Sequence, residues 1–276
     1  MLILAYHNIV PLGEDGGAES SLHLPQRQFA DQLEQLARTH EVVQLADLLL
    51  ESSRPGGRPR VAITFDDGYA GALSAGVEEL RRLGFPATFF VTPGRLGRHT
   101  FWWDRLGAPE NGGVPAEIRD HALTVLRGED EAICAWAGSR ALPPAGVPEN
   151  ARTATETELA QALTVPGISV AVHTWSHPNL AALDSPRLQG ELERPLQWLL
   201  ARWPGTLPVV SYPYGLTSPG VTAAAGRAGL RAGLLVSGGW LSPARARVRY
   251  LLPRLNVPAG VSAEGFELRT SGLVRS

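Results

Sequence analysis

Lysine is missing altogether: the 25 basic residues of this 276-residue chain are all arginine. With 30 glycines, 22 prolines and abundant alanine, the bias reads as the codon usage of a GC-rich genome and assigns no function. The single cysteine, Cys134, excludes an internal disulfide, and no motif around it points to a thiol nucleophile. A formal net charge of −2 offers no extended basic face for nucleic acid or an anionic bilayer. No apolar run reaches the roughly 18 residues of a membrane span. The start carries no charged-then-apolar leader either, because Leu2-Ile3-Leu4-Ala5 runs straight into Tyr6 and His7. If Met1 is the natural start, a cytoplasmic protein is expected. What remains is ordinary, 44% hydrophobic and 19% charged, with enough chain for one large core.

Two short motifs carry chemistry. The β-branched run Val61-Ala62-Ile63 reads as a strand buried on both faces. It delivers Thr64-Phe65-Asp66-Asp67-Gly68-Tyr69, where Gly68 permits a sharp turn into a helix over 70–83 that buries Leu73, Val77, Leu80 and Leu83. Adjacent carboxylates at an apolar strand end repel each other unless a cation lies between them. A second run, Ile168-Ser169-Val170-Ala171-Val172, delivers His173-Thr174-Trp175-Ser176-His177. One aspartate and two imidazoles make a mixed nitrogen and oxygen set suited to zinc, with cobalt, nickel or iron(II) as alternatives. Three protein ligands leave positions open to water and substrate, as in catalytic sites. Taken singly, an Asp-Asp pair is commonly a solvated turn and a lone histidine a satisfied surface or core group. Together, each at a strand end, they point to one divalent metal ion.

Three stretches resemble a known family. Thr64-Phe65-Asp66-Asp67-Gly68-Tyr69, His173-Thr174-Trp175-Ser176-His177-Pro178-Asn179-Leu180 and Ser211-Tyr212-Pro213-Tyr214-Gly215 are similar, in order, to the first three motifs of the polysaccharide deacetylases, the NodB-like carbohydrate esterases of family 4. The similarity runs from about Leu2 to Val257. It implies an α/β fold, a distorted and incomplete (β/α) barrel of the NodB type. It also implies Asp66 as general base, Asp67, His173 and His177 as metal ligands, and the Tyr214 backbone N–H as an oxyanion donor. Two departures stand out. The family's third motif begins with an arginine that orients the catalytic aspartate; Ser211 stands there, and Arg254, in Leu252-Pro253-Arg254-Leu255-Asn256-Val257, is the expected substitute. The usual C-terminal Leu-x-His motif is absent, and no histidine follows His177. In the permuted poly-N-acetylglucosamine deacetylase branch a Tyr-His near the N-terminus supplies the acid, and Tyr6-His7 resembles it. By position alone, His7 would read as an ordinary hydrogen-bonded residue.

The rest of the chain alternates strands and helices, which implies parallel strands with right-handed crossovers. A strand over 2–5 precedes a glycine-rich acidic loop over 13–21, expected to be mobile, and a helix opened by Pro25 that buries Phe29, Leu33 and Leu36. A brief strand at Val42-Val43, a short helix over 45–50, a flexible connection over 52–59 and a strand over 85–92 follow. His23 and His40 have no partner motif and are expected at the surface. Residues 93–152 form an irregular insertion in a single domain spanning 1–276, with Phe101-Trp102-Trp103-Asp104 and one helix over 115–126. The paired tryptophans read equally as packing or as a lid that stacks on sugars. Trp102, Trp103, Trp175 and Tyr212 are the candidate substrate contacts. A capped helix from Thr155, a helix from Asp184 to Arg202 kinked at Pro195, a strand over 207–210, a helix over 219–228, a strand over 233–236, the Arg254 strand and a tail over 266–274 complete the reading.

The resemblance implies hydrolysis of the N-acetyl group of an N-acetylated sugar, oligosaccharide or sugar precursor. Two other readings stand beside it: a carbohydrate-binding protein on a decayed deacetylase fold, suggested by the two departures, and a hydrolase of a non-sugar amide. Neither the sugar nor the oligomeric state is encoded in these motifs.

Overall fold

Runs such as Val-Ala-Ile-Thr-Phe and Ile-Ser-Val-Ala-Val are short and apolar on both faces, which suits strands covered on two sides. In the computed structural model, which describes residues 1–50, 57–107 and 112–273, they become part of a parallel barrel. The strands are β1 (Leu2–Tyr6), β2 (Asn8–Val10), β3 (His23–Pro25), β4 (Glu41–Val42), β5 (Arg60–Phe65), β6 (Ala87–Val91), β7 (Ile168–Val172), β8 (Leu207–Ser211), β9 (Ala232–Gly238) and β10 (Leu252–Asn256). The barrel wall runs β1-β10-β9-β8-β7-β6-β5, and β5 returns to β1 in register from Leu2↔Val61 to Tyr6↔Phe65. β4 lies outside β5, and β2 and β3 form a small ribbon of their own. The expected incompleteness lies in strand number, since a regular (β/α) barrel has one strand more. The distortion lies in register shifts between β7 and β8 and between β9 and β10. Pro253 sits in the second of these, where a missing N–H disturbs the ladder least.

Alternation sorts each strand into two faces. Leu2, Leu4, Ile63, Phe65 and Phe89 pack outwards into the main core. Ile3, Ala62, Phe90, Ala171, Val209 and Leu252 form a second apolar cluster that fills the lumen. Two residues further along the same face come Thr64, Thr92, His173, Ser211 and Arg254, all buried. The lumen therefore changes from apolar to polar towards the carboxyl ends of the strands.

Several expectations need correction. His23 and His40 are buried, at 5% and 4% exposure, because each has a partner remote in sequence: His23 bonds Asp104 and His40 bonds the Thr270 carbonyl. The loop over 13–21 is tied down, with Glu14 and the Asp15 carbonyl accepting from Asn150 and Glu19 buried. The expected tail contains the helix Ala263–Thr270, which buries Phe266; Val274 lies outside the described residues. The helix after β5 starts as a π-helical turn, Ala72–Gly76, before the α-helix Val77–Leu83. The helix Ser185–Arg202 continues through a buried Pro195, and the capping box at Thr155 and Glu158 is formed. Of the connection over 52–59, residues 52–56 lie outside the described residues. Among the described residues no helix is long and apolar enough to cross a membrane.

Candidate metal centre and cleft

The chain turns at once where β5 ends. Asp67 has φ 72°, as does Gly68, so the adjacent carboxylates find different partners. Asp67 Oδ1 lies 3.1 Å from His173 Nε2 and 3.3 Å from His177 Nε2, and the two Nε2 atoms are 3.1 Å apart. A tetrahedral ion with bonds of about 2.0–2.1 Å separates its ligand atoms by roughly 3.3–3.4 Å. The triangle is close to one face of such a site, and it is the cluster among the described residues that could hold a metal ion. The Nδ1–H of His173 donates to the Ser211 carbonyl at 2.8 Å, which leaves the Nε2 lone pair facing Asp67. Burial pushes both imidazoles down. For His173 the charges of Asp66 and Asp67 outweigh it and the group ends above its ordinary value, whereas His177 ends below. Burial also pushes Asp67 up, but its two histidines hold it far below the carboxylate range.

The other carboxylate is neutralised from the last strand. Arg254, fully buried in the lumen, donates to Asp66 Oδ1 at 2.8 Å and Oδ2 at 2.5 Å in a bidentate fork. It also donates to Ser211 Oγ at 2.7 Å, and Ser211 in turn donates to Asp66 Oδ2 at 2.9 Å. Burial raises Asp66, yet Arg254 and then His173 pull it down to about 2. The position where the family carries arginine thus holds a serine inside a network whose guanidinium comes from β10.

A cleft of about 270 Å³ opens over these groups, lined by His7, Asp66, Asp67, Trp103, Tyr212 and Tyr214 among others. His7 makes no side-chain hydrogen bond among the described residues; burial lowers its pKa more than Asp67 and Asp66 raise it. Tyr214 has φ 59° and sets its ring edge-on to His177, 4.7 Å between centroids. Trp103 lies 5.0 Å from the same imidazole. Trp102 does not reach the cleft: it is fully buried, and its Nε1–H is spent on the Tyr214 hydroxyl at 3.0 Å. Trp175 does not reach it either, because its ring packs on Gly94 and carries the Arg194 guanidinium 3.5 Å above its face. Tyr212 does line it, with a buried hydroxyl that lacks a partner among the described residues.

Residues not singled out in the sequence hold the site in shape. Glu191 accepts from the backbone N–H groups of Trp175 and Ser176, at 2.9 and 2.8 Å, and from the Ser176 hydroxyl at 2.7 Å, so one carboxylate shapes the loop between the two histidines. Asp104 accepts from Tyr69 at 2.7 Å and pairs with His23 at 2.7 Å; Tyr69 takes the Trp103 Nε1–H at 2.8 Å, and His23 reaches Asn8 at 3.0 Å. This chain ties the cleft wall at Trp103 to the residue after His7. Left-handed backbone at non-glycine residues gathers here too: Asp67, Thr174, His177 and Tyr214 all have φ between 59° and 72°. Such conformations cost energy unless the surroundings enforce them, and they concentrate at working sites.

Comparison with known proteins agrees with this geometry. The family described as polysaccharide deacetylase matches residues 53–233, more than half of the chain. No curated protein matches the chain by sequence. Among solved structures, the Streptococcus pyogenes deacetylase PplD in complex with acetate is similar, with TM-score 0.67 and 17% identity over 98% of this chain and 97% of that one. IcaB from Ammonifex degensii has TM-score 0.62 and 16% identity, over 98% and 95%. A de-N-acetylase from Aggregatibacter actinomycetemcomitans has TM-score 0.64 and 16% identity, over 97% and 98%. At these identities the likeness speaks for the fold.

Proposed function

Because the chain belongs to the polysaccharide deacetylase family, we propose that it is a metal-dependent amide hydrolase that removes the acetyl group from an N-acetylated sugar, giving a free amine and acetate. The observation that carries the reading is the placement of Asp66, held ionised by Arg254, beside the Asp67, His173 and His177 triangle. Those three residues would hold one divalent ion, zinc best fitting the donor set. A bound ion of this kind supplies an acidified water and polarises the acetamide carbonyl.

Asp66 is the general base. Its forked bond from Arg254 keeps it anionic and fixes which oxygen lone pairs face the cleft, so it can take the proton of the attacking water. The left-handed backbone at Tyr214 suits its N–H to the role of donor to the developing oxyanion. His7 gives the departing nitrogen its proton. It lines the cleft, and a lowered pKa makes its imidazolium a stronger acid. A histidine acid at the end of β1 is the arrangement of the permuted branch. The Arg254 contact with Asp66 also weakens the case for a decayed, binding-only protein, which rested on the missing arginine and the missing C-terminal histidine.

The test is acetate release from N-acetylated sugars by metal-stripped protein, with and without added zinc. Release that depends on zinc is expected. Protein that binds one ion per chain yet releases no acetate from any N-acetyl sugar would overturn the reading.

A further inference from the structure

The cleft is walled on one side and open on the other. Around β5 to β8 the strand ends are roofed, and Asp66, Thr92, Thr174, Ser211 and Tyr212 are buried. The roof is formed by described residues between β6 and β7, within 92–107 and 112–167. On the β8 side it is anchored by Trp102 on the Tyr214 hydroxyl and by the Asn179 N–H on the Arg127 carbonyl at 2.8 Å. On the β1 side Glu19 takes the Val114 N–H at 3.1 Å and the Arg119 guanidinium, and the Ser20 hydroxyl donates to the Gly112 carbonyl at 3.1 Å. Trp103, Glu19 and Arg119 line the cleft from this wall.

The ends of β9 and β10 differ. Val236 and Asn256 line the cleft half-buried, Ser237 and Gly238 are exposed, and among the described residues no hydrogen bond joins them to the roof. One buried polar atom in this open sector, Asn256 Oδ1, has no partner among the described residues. Groups left so are costly, typically about 1–3 kcal/mol, unless a ligand or water satisfies them, and ring hydroxyls or an amide N–H would do so. A volume of about 270 Å³ lies just below the usual range for small-molecule pockets.

Resting on the deacetylase reading, we infer that this chain acts on a terminal N-acetyl sugar, whether a free sugar, a short oligomer or a chain end, and not on internal residues of a polymer. An internal residue needs its chain to leave the site in two directions. Here the sugar enters past Val236 and Asn256 and stops at Trp103 and the Glu19–Arg119 pair, which makes that pair the determinant of where the chain must end.

The test uses zinc-loaded wild-type protein on N-acetylglucosamine oligomers of increasing length, with product positions read by fragment mass spectrometry. Binding energy from remote sugar residues would raise kcat/KM as further subsites fill. Here kcat/KM should stay within about threefold beyond the dimer, with the free amine confined to one terminal residue. A rise of about tenfold or more with length, with amines at internal residues, would overturn the inference while leaving the deacetylase reading intact. Acetate from no oligomer or free sugar would remove both. In Arg119→Ala the stop is loosened and amines should appear at the neighbouring residue as well; a product pattern identical to wild type would count against Glu19–Arg119 as the stop.

Discussion

At the amino ends of the barrel strands, Met1, Leu48, Leu207, Val209 and Leu252 line an apolar cavity of about 410 Å³. At the carboxyl ends a smaller cavity, about 270 Å³, is lined by His7, both adjacent aspartates, His173 and His177. Between these two, size would favour the first as the working site; chemistry chooses the second. At the amino end the lining is mostly apolar, with Arg231 and Arg249 as its charged side chains and no carboxylate or imidazole. The carboxyl end holds buried charges, facing imidazoles and left-handed backbone that only a fixed, functional arrangement repays. Energetic tension, more than volume, separates a site from a gap in packing.

That contrast can be broken or sharpened by substitution. The largest effect is expected for Asp66→Asn, which should keep its metal yet lose about 10²–10⁴-fold in turnover, the usual size of an acid–base contribution; near-normal acetate release would take Asp66 out of the role. Next comes Arg254→Met, which leaves Asp66 charged and buried without its partner. A loss of about 3–5 kcal/mol in urea unfolding is expected, largely recovered when Asp66→Asn is added. A loss as small as that of an exposed pair would contradict the burial argument.

The same pair sets a pH dependence. The folded pKa of Asp66, about 2, lies below the ordinary carboxylate value, so the pair's stabilisation is complete above the unfolded pKa and fades as pH falls towards 2. Urea midpoints measured between neutral and strongly acidic pH should show this fading in wild type and lack it in Arg254→Met. Parallel profiles would rule it out. The smallest effect belongs to the other end: Ala46→Leu, beside the apolar cavity, should shift stability by about 1 kcal/mol or less and leave turnover unchanged. A large change in turnover there would join the two ends functionally.

Much of this was legible in the sequence because it is local. The β-branched runs became β5 and β7, and the residues at their ends form the centre. Arg254 could be nominated because it stands on the last predicted strand while the third motif lacks its arginine. What stayed hidden is pairing across distance. His23 was expected at the surface because its partner Asp104 is 81 residues away, and Glu19 meets Val114 across 95 residues. The tryptophan pair drew attention for its aromatic faces, whereas the neighbouring Asp104 is the residue that joins two distant partners, Tyr69 and His23. Glu191 looks like any acidic residue in a helix, and only the loop folded against it reveals its use.

β10 is the last strand of the wall and lies between β9 and β1. Sealing the barrel and delivering the guanidinium to Asp66 are therefore one event. Asp67, His173 and His177 all precede β8 in the chain, whereas Arg254 comes 77 residues after His177. The proposed base therefore acquires its partner only once the last strand of the wall is in place. If those three residues hold an ion as proposed, metal content alone would not report whether Asp66 has its partner.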